Sequence, residues 1–172
     1  MAVYLDNAAT TPIAPEVIEA MIPVLREGFG NPSSSHSFGR KSKALLEVSR
    51  RSIAKHMNCQ PSEIIFTSGG TEADNMALNS CVNEMGVTHI ITSCLEHHAI
   101  GHTADAIEKS GKARVSCVKV DSKGNVDLAD LERLLQTNDK TLVSLMHANN
   151  EIGTLLPLKK VSEMCKNHNA YF

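Results

Sequence analysis

Three short stretches hold the side chains that could do chemistry. The first, Ser68-Gly69-Gly70-Thr71-Glu72-Ala73-Asp74-Asn75, joins a glycine turn to a helix start. Two glycines let the backbone turn sharply and pass close to a ligand. The free N–H groups and positive dipole end of the helix suit an anion, most often a phosphate. The same pattern also serves as an ordinary helix start with no ligand. The second stretch, Cys94-Leu95-Glu96-His97-His98 with His102, offers a thiol, a carboxylate and imidazoles. Cys94 before His97 is a nucleophile–base combination, but nothing in the sequence orients the base. A metal site drawn from Glu96, His97, His98 and His102 is a second option: His98 and His102 stand four apart and could share a metal, yet no third ligand stands out, and no metal site is assigned. Histidines that merely cap a helix are the plain alternative.

The third stretch, His147-Ala148-Asn149-Asn150-Glu151, carries two amides. A phosphate cradle, an imidazole and an amide together suit a phosphorylated aromatic cofactor. Gly70 and Thr71 would hold the phosphate. His97 would lie flat on a ring and move protons near its reactive carbon. Asn149 or Asn150 would hydrogen-bond a ring substituent.

The elements around these stretches follow from periodicity. Ile64-Ile65-Phe66 reads as a short strand covered on both faces. Pro15 suits a helix start, with Val17, Ile18, Met21, Ile22 and Leu25 on its apolar side, strain at Pro23, and an end at Gly28 and Gly30. Asn31 to Arg40 is a loop rich in turn formers. The helix that follows runs to about Met57, with Ala44, Leu45, Val48, Ile53 and Met57 buried and Arg50-Arg51 outward. After the glycine turn, Met76, Ala77, Ser80 and Cys81 face a core until Gly86. Strands are expected at 89–93, 114–120 and 141–146. Between and after them come helices at 99–109, after Asp127 (Leu128, Leu131, Leu134, Leu135) and from Pro157 (Leu158, Val161, Met164). Ala170-Tyr171-Phe172 begins another strand. This alternation predicts an α/β fold, a layered mostly parallel sheet with helices on both faces, and ligands at the carboxyl ends of its strands.

The 172 residues suit about one domain, and 42% of them are hydrophobic, enough for a core. A formal charge of -2 gives no reason to expect nucleic acid or an anionic membrane as partner. No run is long enough to span a membrane, and the start lacks the regions of a signal peptide, so the cytoplasm is expected. Five widely spaced cysteines argue against a disulfide framework or a zinc site and are read as reduced and mostly buried. The last strand has no residues left to finish it, so the chain is expected to end inside its domain. The expected division is an N-terminal arm over 1–15 and, over 16–172, the N-terminal part of a larger domain.

Five motifs in order resemble the cysteine desulfurase family of the class V aminotransferase group. They are Tyr4-Leu5-Asp6-Asn7-Ala8-Ala9-Thr10-Thr11-Pro12; Gly30-Asn31-Pro32-Ser33-Ser34 with His36 and Gly39-Arg40; Phe66 to Asn75; Glu96-His97-His98; and Met146 to Gly153. The resemblance implies the large domain of fold-type I pyridoxal-phosphate transferases, truncated. It implies pyridoxal 5'-phosphate as cofactor, L-cysteine as substrate, alanine and an enzyme persulfide as products, a homodimer, and sulfur-acceptor or scaffold proteins as partners. The form of the second motif resembles the branch serving iron–sulfur clusters and tRNA thiolation. Carried over by position, Gly70 and Thr71 match the phosphate turn, and His97 matches the histidine stacked on the pyridine ring. Asn150 matches the asparagine at the ring hydroxyl. Asn7 to Thr10 and Asn31 to Ser33 match segments near the substrate and partner subunit, while Arg40 is read as a surface residue. The family's ring-pairing aspartate, cofactor lysine and sulfur-accepting cysteine have no counterpart here, so these residues alone are expected to be inactive. A selenocysteine lyase-like sibling and a non-catalytic dimerisation module are the alternatives.

Overall fold

The computed structural model describes residues 2–137 and 139–172. The chain divides into two compact units, Met1–Phe66 and Thr67–Phe172.

In the first unit, helix α1 spans Pro15–Glu27, with proline at its first position and Gly28 at its end, as expected. Helix α2 spans Ser37–Met57 and ends on left-handed Asn58. It starts inside the stretch read as loop, because the His36 ring accepts the Gly39 N–H and caps the first turn. Between the helices the chain is tightly folded. A Cβ on Gly30 would strike the Phe38 carbonyl, and one on Gly39 would strike the Ser34 and Asn31 carbonyls. Arg40 donates to the Ser35 carbonyl and so holds this turn from within. Tyr4 closes the arm in the same way, donating to the carbonyls of Asp6 and Thr10.

Three further expectations fail in this unit. Ile64–Phe66 pairs with no strand among the described residues; it follows a 3₁₀ turn at Pro61–Glu63, and Ile65 is 65% exposed. A short apolar run is a strand only where a neighbour supplies hydrogen bonds, and none does here. Instead Arg50 donates to the Ile64 carbonyl, with its guanidinium 4.9 Å from the Phe66 ring centroid, so Arg50 points inward and not outward. On α2 only Gly39 and Ala54 are buried, while Leu45, Val48, Ile53 and Met57 are exposed. The apolar stripe is real, but little lies over it.

The second unit is built on three parallel strands, β1 His89–Ser93, β2 Arg114–Val118 and β3 Thr141–Val143, in the order β2-β1-β3. Tyr171 adds a parallel bridge to Leu142 beside β3, the start of strand expected there. Strand β3 stops three residues short of its expected end at Met146 because the chain turns into a loop. Around the strands lie α3 Gly70–Asn83, α4 His98–Lys109, α5 Leu128–Leu135 and α6 Leu158–Asn167. Asp127 caps α5 by accepting from Ala129 and Asp130.

Side-chain alternation along β1 divides the core in two. Ile90 packs with Leu78 and Val82 of α3, Ile107 of α4 and Leu142. Ile91 packs with Leu131 and Leu135 of α5, Val161 and Cys165 of α6, Val118 and Val143. Helices therefore cover both faces of a parallel sheet, as the alternating sequence predicts. The buried face of α3 is Leu78 and Val82, not Met76, Ala77 and Ser80; only half-buried Cys81 of that set reaches the core. The cysteines are mixed. Cys165 is buried and Cys59 and Cys81 half-buried, but Cys94 and Cys117 are exposed, one in a turn and one on the edge strand.

His89 opens β1 fully buried. Arg114 donates to its Nδ1 and Ser116 Oγ lies 2.9 Å from its Nε2, so the ring is neutral with its proton on Nε2. Burial and the Arg114 charge lower its pKa to about 4. A histidine depressed from its unfolded value near 6.5 adds stability that is present above that value and lost as pH falls through about 4. Urea unfolding should therefore show stability falling between these limits by on the order of 3 kcal/mol from this group. A His89→Gln variant should flatten that slope, and an unchanged slope would refute the assignment. Leu131→Ala, emptying a fully buried position, should cost about 2–5 kcal/mol in the same assay.

Candidate functional site

Gly69 caps α3 in an extended conformation (φ 168°) that any residue adopts, and Gly70 is its first helical residue. A Cβ on either glycine would meet nothing within 4 Å. Neither the backbone nor the packing of this chain requires glycine at these two positions. The N–H groups of Gly70 and Thr71 have no hydrogen-bond partner among the described residues. An unobstructed turn with unpartnered donors at a helix start is able to receive an anion. Glu72 closes its near side: its carboxylate accepts both the Ser68 N–H and hydroxyl at 2.6 Å, which holds its pKa below the ordinary carboxylate value.

The end of β1 supplies the imidazole. His97 caps α4, its Nδ1 accepting the Ala99 N–H at 3.1 Å. The plain reading, a helix-capping histidine, is therefore correct as structure. It also fixes the tautomer: the neutral ring carries its proton on Nε2. The ring is exposed, 6.1 Å from that of His98, which stacks on His102 at 5.5 Å. Thr71, Asn75, His97, His98 and His102 line an open cleft of about 530 Å³ between α3 and α4. The Thr103 hydroxyl, buried on α4, reaches Asn75 Oδ1 at 2.8 Å and ties the two helices together. Among the described residues, no group of three or more His, Cys, Asp or Glu gathers to hold a metal ion.

The two amides after β3 have different jobs. Asn149 is buried; its Oδ1 accepts from Glu151 and Ile152 N–H, and its Nδ2 donates to the Leu95 carbonyl at 3.0 Å. Its side chain is spent on shaping the loop. Asn150 is exposed and, among the described residues, its amide donates only to the neighbouring Glu151 carboxylate, at 3.1 Å. Of the pair, Asn150 is the one free to meet a ligand.

Thr71 and His97 thus share one cleft, Gly70 adjoins it, and Asn150 sits on the loop after β3, outside that cleft's lining. Glu96 and Asn149 are groups whose structural roles the sequence did not disclose. Glu96 stands out in sequence only as a carboxylate beside two histidines. In the fold its Oε1 accepts the Met146 N–H at 2.9 Å and the Ser93 hydroxyl at 3.2 Å. Burial raises its pKa, with Asp74 adding a like charge.

The Glu72 contact is directly testable. By carbon NMR titration its carboxyl should ionise below the ordinary glutamate value, and Ser68→Ala should move it back up. A midpoint indifferent to Ser68 would show that the turn is not closed this way.

Comparison with known proteins bears on what sits here. The chain is 47% identical to the cysteine desulfurase IscS of Clostridium botulinum (strain Kyoto / Type A2), over 99% of its own length and 43% of the relative's. It is 48% identical to the cysteine desulfurase IscS of Dictyoglomus turgidum, again over 43% of that protein. The chain therefore spans under half the length of these relatives. Among solved structures it superposes on a NifS-like protein with a TM-score of 0.90 at 41% identity, covering 98% of this chain and 46% of that one. A structure described as SspA in complex with cysteine gives a TM-score of 0.85 at 31% identity, covering 95% of this chain and 47% of that one. The family model described as aminotransferase class-V matches residues 3–172, so the chain belongs to the class-V aminotransferase family.

Proposed function

We propose that this chain carries the phosphate- and ring-contacting part of a pyridoxal-phosphate-dependent cysteine desulfurase, which takes sulfur from L-cysteine and leaves alanine. The observation that supports it most is the glycine turn. Two glycines that neither backbone nor packing requires face open space at a helix start with free N–H donors. Smallness of this kind is useful to a body that comes from outside the chain, and the donor set suits a phosphate ester. The residues therefore fit the cofactor. The relatives named cysteine desulfurase IscS and the neighbour named as a cysteine complex favour L-cysteine as substrate.

When bound, pyridoxal phosphate supplies an electron sink for bonds at the α-carbon of an amino acid. The chain's own residues do the rest. Gly70 and Thr71 would donate N–H groups to the phosphate, helped by the positive end of α3. His97 would lie against the ring and, with Nδ1 accepting the Ala99 N–H, would present its Nε2–H to it as a hydrogen-bond donor. Asn150 would offer its amide to the ring hydroxyl. None of the lysines or cysteines of residues 1–172 stands in the family's cofactor-lysine or sulfur-accepting context. By itself the chain is accordingly a cofactor-binding part without turnover. The exposed apolar sides of α1 and α2, with Val17, Met21, Leu25, Val48 and Met57, support association into a homodimer. No helix among the described residues is long and apolar enough to cross a membrane, and we place the protein in the cytoplasm, with sulfur-acceptor proteins as partners.

The test is titration of the purified chain with pyridoxal phosphate, followed by cofactor fluorescence and the ³¹P signal. Saturable binding is expected, with no lysine labelled after borohydride reduction and no alanine formed from L-cysteine. Gly70→Val, which meets no atom of the chain near its Cβ, should weaken binding at least about tenfold while leaving the melting temperature close to wild type. Equal affinity for wild type and Gly70→Val would refute the phosphate assignment.

A further inference from the structure

We propose that Glu96 is the positioning residue that locks the loop carrying His97 to the loop carrying Asn150, so that ring-facing imidazole and amide are set as one unit. The proposal rests on the functional reading above for what the unit does, but its geometry stands independently.

The loop after β1 (Cys94 to His97) and the loop after β3 (Ser144 to Thr154) leave adjacent parallel strands at the same end of the sheet. Among the described residues two side-chain bonds cross between them, one reaching from each loop. Glu96 reaches from the first loop to accept the Met146 N–H at 2.9 Å. Asn149 reaches from the second to donate to the Leu95 carbonyl at 3.0 Å. Each anchoring residue, Glu96 and Asn149, immediately precedes a proposed ligand-facing residue, His97 and Asn150. The backbone bond Ser144 N–H to Ile91 carbonyl, 2.8 Å, closes the same seam just below.

Glu96 is half-buried, and an unpaired carboxylate there would be costly. Its two acceptor contacts, Ser93 hydroxyl and Met146 N–H, compensate for that burial. Remove the carboxylate and the Met146 N–H loses its bond across the seam, leaving the Asn149 bond as the one side-chain tie between the loops among the described residues, above the Ser144–Ile91 backbone bond. A one-ångström drift between positioning groups is enough to degrade a site of this kind.

The experiment compares wild type with Glu96→Ala, Glu96→Asp and Glu96→Gln in the full chain, by amide hydrogen exchange and by the His97 imidazole proton signals, with and without pyridoxal phosphate. Glutamine retains the acceptor oxygen, so Glu96→Gln should match wild type. Glu96→Ala should exchange the Met146 amide at least about tenfold faster, spread the added exchange over residues 147–151, and bind cofactor several-fold more weakly. Glu96→Asp keeps the charge but draws the oxygen back by one methylene, so it should behave like alanine; it decides the matter should alanine fail to fold. Unchanged Met146 exchange and unchanged His97 signals in Glu96→Ala or Glu96→Asp would overturn the proposal. A wild type that binds no cofactor would instead count against the functional reading, while the exchange arm still decides the lock.

Discussion

Five consecutive buried residues, His89 to Ser93, form a central strand that must satisfy two cores at once. A strand covered on both faces has no freedom of register: shifting it by one residue would exchange Ile90 for Ile91 between helix pairs of different shape. That constraint fixes where β1 ends. It thereby fixes the points at which Cys94 to His97 leave the sheet and α4 begins. β2 and β3 pair with β1 on either side, so the loop after β3 starts from a place the same strand defines. The points at which the two loops leave the sheet are thus set by the packing of the strand behind them.

The glycine turn is held differently. No strand precedes it among the described residues, and its position comes from α3, whose Leu78 and Val82 sit in the core while Asn75 bonds Thr103 of α4. A rigid helix start therefore faces an imidazole that caps the next helix along. The two groups share a cleft because α3 and α4 lie side by side on one face of the sheet. Electrostatics follows the same division. The Glu72 carboxylate takes the N–H of Ser68, outside the helix, and leaves the donors of Gly70 and Thr71 free.

Much of this was legible in the sequence where one pattern had one physical solution. Strands alternating with amphipathic helices force a parallel sheet covered on two sides, and Asp127, Pro15 and Gly28 mark helix ends by capping chemistry that is local. Legibility failed where an outcome depends on a neighbour. The stripe of Leu45, Val48, Ile53 and Met57 has the right period for burial, but period says only which residues share a face, not that anything covers it. Ile64–Phe66 has strand composition and no pairing partner. The α3 face was misplaced because Met76 and Ala77 fit a helical stripe as well as Leu78 and Val82 do, and only the position of the sheet decides between them.

The pair Asn149-Asn150 shows the same limit within the candidate site. Two identical side chains in adjacent positions carry identical chemistry, and composition cannot separate them. Backbone geometry can: Asn149 faces inward, where its amide replaces three hydrogen bonds that the loop would otherwise lack, and Asn150 is thereby turned outward. The buried amide does not compete with the exposed one for a ligand; it makes the exposed one available. The same holds for Glu96 and His97, where an inward carboxylate adjoins an outward imidazole. In both loops an inward polar side chain with bonds of its own immediately precedes an outward one. The groups that fix such a site are thus better sought one position inward from the recognisable side chains than among those side chains themselves.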